Sequence, residues 1–386
     1  MRRALVRVER FVWFALLLGL CASPAWADRA SGTTTGLLEL RGDYYWETST
    51  RVLAPSARLR LDLPDGLSLD GEYLLDSVTS ASVAAGALTD SGFTERRNDA
   101  SLGAAYEFDL GQAALAFSLH GTFSKEPDYR SLSGSFGAAL SLNDRASVLR
   151  FSLGYLHDDV GQVFRTGTGA RPDPMGGVAG SFSENLEAFT SSAGLDQVLT
   201  PTLTASVSYD FGRVSGFLAS PYRRLLLADG TRRAENHPDL RLRHTVSGRL
   251  AWYVRATHSA IHVAYRAYVD SWRIAAITPE VRLYQELGGH RTLRLRYRYY
   301  AQNRASFYKP ADQYTADDTL ISVDPKMSAF HSHLLGLKMM LDLSFLEHSV
   351  LESFAAATVD MNFEYIWNTN RYGDGVIASV GLRLPF

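Results

Sequence analysis

The chain has 386 residues, 46% hydrophobic and 21% charged, with 39 basic against 41 acidic side chains and one cysteine. That balance lacks the basic excess of a nucleic-acid-binding protein, so no nucleic-acid partner is expected. A single cysteine, Cys21, excludes a disulfide framework, so an exported chain of this size must be held together by other means.

The first element is an export signal. Arg2, Arg3, Arg7 and Arg10 form a positive stretch, Phe11 to Leu20 is apolar, and Ala25-Trp26-Ala27 supplies small residues for cleavage after Ala27. The apolar run is too short to cross a hydrocarbon core of ~30 Å as a helix. Cys21 invites a lipoprotein reading, but Leu20 before it is bulkier than lipoprotein processing favours. The expected division is a cleaved signal peptide, 1–27, and a single domain, 28–386. The signal carries four of the 39 basic residues and, in Glu9, one of the 41 acidic, so 35 basic face 40 acidic after cleavage, a net of −5.

Beyond the signal no stretch is apolar enough for a transmembrane helix, and no long segment has helical periodicity. Alternating runs of about ten residues, rich in Tyr, Phe, Leu and Val, point instead to a transmembrane antiparallel β-barrel, whose lipid-facing and lumen-facing residues alternate. Sixteen strands are predicted: 35–47, 51–63, 67–79, 98–110, 113–125, 130–142, 147–157, 186–198, 202–212, 240–255, 259–271, 274–287, 291–303, 329–343, 349–367 and 375–386. The clearest is Arg291 to Tyr299, where Leu293, Leu295, Tyr297 and Tyr299 alternate with Thr292, Arg294, Arg296 and Arg298. Connections alternate in kind. One set is short and carries hairpin chemistry (Pro64-Asp65-Gly66, Gly111-Gln112, Asn143-Asp144-Arg145, Gly288-Gly289-His290), with a further turn expected near Glu347-His348. The other set includes the long segments 80–97, 158–185, 213–239 and 304–328. Short periplasmic turns and long extracellular loops, with both ends of the chain periplasmic, satisfy this parity throughout. The last strand alternates Val380, Leu382, Leu384 and a terminal Phe386, the form of the signal that hands barrels to the bacterial assembly machinery.

Several segments carry a resemblance. Gly42-Asp43-Tyr44-Tyr45, the run from Tyr73 to Ala81, Gly216 to Arg223, Arg241-Leu242-Arg243-His244, Arg296 to Tyr300, Ala305 to Tyr308 and Ser328 to His333 together resemble a bacterial outer-membrane β-barrel family catalogued as a domain of unknown function, porin-like in form. The resemblance covers nearly all of the chain after the signal. It implies an outer-membrane location in a Gram-negative bacterium and supplies no catalytic residues. It also implies a context in which exported flavin-transfer or redox proteins are found.

The polar member of each alternating pair is expected to face the lumen. Arg241, Arg243, Arg249, Arg266, Arg282, Arg294, Arg296 and Arg298 would form a basic wall, and Glu39, Asp43, Asp70, Glu72, Asp76, Asp360 and Glu364 an acidic wall opposite it. Facing walls of opposite sign create a transverse field that selects solutes in a water-filled pore. Alternatively the same side chains interlock and fill the lumen. His331 and His333, two apart on one strand, would need a third ligand to hold a metal, and a polar strand start at the outer rim is the plainer reading. His157-Asp158-Asp159 and Asp312, Asp317, Asp318 and Asp324 lack the spacing of a calcium loop. Gly167, Gly169, Gly176 and Gly177 match no phosphate loop. Arg223, Arg224, Arg232 and Arg233, beside Tyr222, offer either contacts to lipopolysaccharide phosphates or ordinary solvated charge. The expected partners are outer-membrane lipid, lipopolysaccharide and the assembly machinery, with a periplasmic or surface protein left open. No cofactor, metal or catalytic residue is called for. Two functions remain: a passive channel for small hydrophilic solutes, or a non-conducting barrel that docks an exported partner.

Overall fold

A computed structural model describes residues 33–47, 50–80, 93–161, 183–221, 223–227, 230–370 and 373–386. The expected signal peptide lies outside them, as do Tyr222, the glycines between 167 and 177, and most of the 80–97 and 158–185 connections. Alternation of apolar and polar residues becomes sixteen long strands and one short hairpin. The strands are β1 (Thr35–Glu47), β2 (Thr50–Asp62), β3 (Leu67–Ser80), β4 (Phe93–Asp109), β5 (Ala114–Glu126), β6 (Tyr129–Leu142), β7 (Ser147–Gly161), β8 (Ser183–Thr200) and β9 (Leu203–Gly216). The hairpin is β10 (Arg224–Leu226) with β11 (Arg232–Ala234). Then follow β12 (Leu240–Val254), β13 (Ser259–Asp270), β14 (Ala275–Glu286), β15 (Arg291–Gln302), β16 (Phe330–Asp342), β17 (Thr358–Asn368) and β18 (Gly375–Pro385).

Every long strand pairs antiparallel with its neighbours, and β1 pairs with β18 from Leu37↔Pro385 to Glu47↔Gly375, closing the barrel. Closure leaves no sheet edge, which is the condition for a sheet to cross hydrocarbon, where an unpaired backbone group costs several kcal/mol. The seam is finished by two hydrogen bonds between Gly36 and Phe386, at 2.6 and 2.9 Å.

The period-two pattern sorts side chains between two surfaces. Leu102, Leu119, Leu132, Leu149, Phe151, Val207, Leu250, Val263, Leu335 and Phe363 are among the many large apolar residues exposed on the outside. Apolar area this extensive is incompatible with water and suits a hydrocarbon surround. Tyr44, Tyr73, Tyr106, Trp252, Tyr265 and Trp367 are exposed on that same surface, as aromatic belts require.

Connections at the end of the barrel that holds both chain ends are tight. The run Asn143-Asp144-Arg145 turns with φ between 51° and 66°, a region that Asn and Asp tolerate best among side-chain-bearing residues. The exception is the connection from β16 to β17. Strand β17 begins at Thr358, not near 349, and residues 343–357 form an extended connection with one-turn 3-10 helices at Ser344–Leu346 and Glu352–Phe354. Its apolar residues Phe345, Leu346, Val350, Leu351 and Phe354 follow one another at steps of one, four, one and three, a spacing that a strand cannot place on one face. The ladder is closed instead by Leu343 N–H donating to Ala357 C=O at 2.9 Å.

At the far end the two connections 217–239 and 303–329 fold onto each other as a roof. Leu225 and Leu227 pack with Tyr314 and Ile321, while Trp272, Ile274, Ala305, Phe307 and Met327 form a second cluster that reaches Tyr268. An isolated antiparallel bridge, Asn236↔Ile321, joins the two segments. The roof departs from Gly216, whose φ of 104° favours glycine and where a Cβ would meet Asn185 C=O at 2.3 Å.

Candidate functional site

The site is the lumen wall, built strand by strand from the register. Arg241, Arg243 and Arg249 share the inward face of β12 with Thr245 and Ser247. Opposite them in the pairing, Arg266 and Asp270 lie on the inward face of β13. Glu280 and Arg282 continue it on β14, and Arg294, Arg296 and Arg298 on β15. All eight expected arginines therefore sit on four consecutive strands, with Asp270, Glu280 and Glu286 as the acids among them.

Across the barrel, seven acids share the inward faces of β1, β2 and β3 with three arginines. The acids are Glu39, Asp43, Glu47, Asp62, Asp70, Glu72 and Asp76, and the arginines are Arg41, Arg58 and Arg60. In the ring order, β2, β3 and β4 stand eight places from β12, β13 and β14, which in a sixteen-strand barrel is diametrically opposite. Asp360 and Glu364 lie on β17, two strands from β15 on one side and two from β1 on the other; Glu364 meets the arginines of β15, and Asp360 meets Lys338 of β16.

Local pairing ties most of these charges to a neighbour. Glu364 meets Arg294 at 3.1 Å and Arg296 at 3.0 Å. Arg296 reaches back to Glu280 at 2.7 Å, and Arg282 pairs with the same carboxylate. Lys338 holds Asp360 at 2.8 Å. On the acidic side Glu39 pairs with Arg383 at 2.7 Å, Asp43 with Arg41 at 3.0 Å, Asp70 with Arg58 at 3.3 Å and Asp76 with Arg97 at 2.6 Å. Glu72 stands opposite Arg58 in the register. Sequence reading missed Arg41, Arg58, Arg97 and Lys338. The same alternation rule finds them once each strand's parity is fixed, because Lys338 keeps step with Leu334 and Gly336 and not with the outward Leu335 and Leu337.

At the roof end, Arg241 is held by Asp270 at 2.5 Å and lies 4.2 Å over the Trp272 ring. His237 packs edge-on against Trp272, with centroids 5.3 Å apart, and Trp272 Nε1 donates to Leu240 C=O. Above this, Arg223 pairs with Asp324 at 2.8 Å and lies 3.6 Å from Glu235. Glu235 also accepts from Ser220 N–H at 3.1 Å, and from the Ser322 hydroxyl and Val323 N–H at 3.0 Å each. Burial alone would raise the Glu235 carboxyl, but the charges of His237 and Arg223 and hydrogen bonds from His237 and Ser220 N–H hold it well below the usual carboxylate range.

The loop arginines are mostly spent within the protein. Besides Arg223, Arg224 donates to the carbonyls of Pro221 and Arg223, and Arg233 to those of Ala316 and Asp318. Of the acidic loop residues, Asp318 takes Lys309 Nζ at 2.6 Å and Asp159 takes Arg130 at 2.6 Å. His331 and His333 share the outward face with Leu335, and His333 lies 2.9 Å from the Tyr297 hydroxyl. Among the described residues no group of three or more His, Cys, Asp or Glu is placed to hold a metal ion. Val380, Leu382, Leu384 and Phe386 share one outward face, with Val380 and Phe386 well exposed.

With the barrel and its lumen defined, the chain can be compared with known proteins. Residues 76–382 match a family described as a protein of unknown function, DUF3570. The chain belongs to this family. No curated protein matches it. Among solved structures it is similar in fold to OccK3 (OpdO) of Pseudomonas aeruginosa, at 10% identity and a TM-score of 0.38, over 92% of this chain and 95% of that one. The CymD monoaromatic hydrocarbon channel gives 9% and 0.42, over 91% and 88%. The siderophore receptor PirA of Acinetobacter baumannii gives 8% and 0.45, over 88% of this chain but 53% of the receptor. By its own strand order the DUF3570 chain is a closed, sixteen-strand antiparallel barrel.

Proposed function

We propose that this DUF3570 protein is an outer-membrane channel that passes small hydrophilic solutes by passive diffusion. Residues 1–27 would be removed on export. The observation that carries the reading is that four of the eight arginines, Arg241, Arg243, Arg249 and Arg266 on β12 and β13, stand across the lumen from the acid-rich faces of β2 and β3. Side chains of opposite sign on facing walls impose a transverse field on any solute in transit, and a sixteen-strand barrel is wide enough to hold an aqueous path. The roof over β12–β16 would narrow the mouth on the basic side. No catalytic chemistry is assigned.

Single-channel conductance of refolded residues 28–386 in a planar bilayer tests the reading. Stable, ion-selective steps support it. A barrel that is folded, as judged by heat-modifiable migration, yet electrically silent overturns it. The chain of ion pairs Arg282–Glu280–Arg296–Glu364–Arg294 and the packed roof favour the second reading in that case, a closed barrel that docks an exported partner, redox or flavin-linked in the context that the family resemblance implies.

A further inference from the structure

We infer that the half of the lumen nearer the chain ends holds a binding subsite for small oxyanions, carboxylate or phosphate, formed by Arg249, His262 and Arg282. The inference deepens the channel reading and rests on it only for the ligand's route of access.

The register builds the subsite. His262 on β13 stands directly opposite Arg282 on β14 and Ala251 on β12. Arg249 faces Ala264, two residues from His262, so it lies one diagonal step away, within reach of a long side chain. Three nitrogen-rich side chains thus converge over the small residues Ala251 and Ala264. Tyr284, two residues from Arg282 on the same inward face, sets its ring 4.8 Å from the His262 ring.

Cations there outnumber the acids. Glu280 is the nearest inward carboxylate on these strands, and it is shared between Arg282 and Arg296. Arg249 hydrogen-bonds a neutral hydroxyl, Ser206 Oγ, at 3.4 Å. Two buried atoms, His262 Nδ1 and Arg282 Nε, have no hydrogen-bond partner among the described residues. Buried polar atoms without partners are uncommon in folded proteins and call for a ligand or solvent to satisfy them. Guanidinium groups present planar pairs of N–H donors that match the two oxygens of a carboxylate or phosphate, and they bind a single-atom anion less selectively. The cluster therefore suits an oxyanion and repels cations.

Isothermal titration of inorganic phosphate into refolded residues 28–386, in detergent at neutral pH and low salt, tests the subsite. One saturable site is expected, weakened about tenfold by Arg249→Gln, the loss of one charge-assisted contact. Arg249 is the position of choice because its removal leaves no carboxylate without a partner. His262→Gln is the second variant, and heat-modifiable migration confirms that each variant has folded. Absence of a phosphate heat in the parent protein, or affinity unchanged from the parent in both variants, overturns the subsite. A conductance experiment on the same samples separates the two claims: saturable phosphate binding in an electrically silent barrel keeps the subsite and removes the channel, and conductance without phosphate binding does the reverse.

Discussion

Arg296 and Glu364 are anchored two strands apart, yet their charged ends meet at 3.0 Å over Gly336. Each strand step is roughly 4.8 Å, so the pair must bridge about twice that distance over the strand between them. Gly336 makes this possible by having no side chain. A Cβ there would lie 3.1 Å from Glu364 Cγ and 3.4 Å from Arg296 Cβ. Gly336→Leu is expected to push the pair apart and to destabilise the barrel by about 1–3 kcal/mol. Urea unfolding from lipid vesicles, read by the heat-modifiable fraction, measures it, and an unchanged midpoint would show that the pair carries no stability.

Glu364 serves Arg294 as well as Arg296, and Arg296 has a second partner in Glu280. Glu364→Gln therefore leaves Arg294 the more exposed of the two to an unmet charge. The expected cost is about 1–3 kcal/mol, set by desolvated charge left without a carboxylate. Replacing Glu364 by Leu together with Arg294→Met removes both ends of one pair and should cost less than the sum of the single changes. The coupling from that cycle, taken from the same urea midpoints, is expected to be at least ~0.5 kcal/mol, as for residues sharing one network.

Phe386 closes the seam with Gly36 and shares the outward face of β18 with Val380, Leu382 and Leu384. Deleting Phe386 removes the two backbone bonds to Gly36 and the terminal aromatic together. If the terminal residue serves assembly, deletion should lower the heat-modifiable fraction in cells severalfold while leaving refolding in detergent nearly intact. Equal loss in both settings would instead assign Phe386 to the stability of the seam.

Fold and lumen were not equally legible in the sequence. Strand positions followed from alternation, since the outward Leu293, Leu295 and Tyr297 and the inward Arg294, Arg296 and Arg298 report the two faces directly. Turn parity reported which end holds the short connections, and closure followed from the need to pair every backbone group in hydrocarbon. The connection 343–357 was misread because Phe345, Val350 and Phe354 supply strand-like composition without a period of two. Which charges meet was not legible, because that depends on register and on gaps such as Gly336, which no spacing along one strand reveals. Glu364 looked like part of an acidic wall for this reason, although closure sets it beside Arg294 and Arg296. The long connections 213–239 and 304–328 were legible but their packing was not: Trp272, Phe307 and Met327 lie in irregular segments and meet only through tertiary packing.

The roof should loosen in acid, and the sign follows from Glu235. Its carboxyl is held below its ordinary value of 4.5 despite burial, by His237 and Arg223 and by hydrogen bonds from His237 and Ser220 N–H. A depressed carboxyl contributes stability that is fully present above the unfolded value and is lost as pH falls through the folded one. Asp318, depressed by its bond from Lys309 and by Thr315 N–H, has the same sign. The charged groups facing Glu235 are Arg223 and His237, with Asp324 bound to the far side of Arg223. Limited proteolysis of residues 217–239 and 303–329 is therefore expected to be slow at pH 7 and to quicken as pH drops below about 4.5, while the barrel strands stay resistant. Glu235→Gln should raise cleavage at pH 7 and flatten its dependence on pH. Cleavage that is independent of pH in the parent protein would remove Glu235 from any role in holding the roof down.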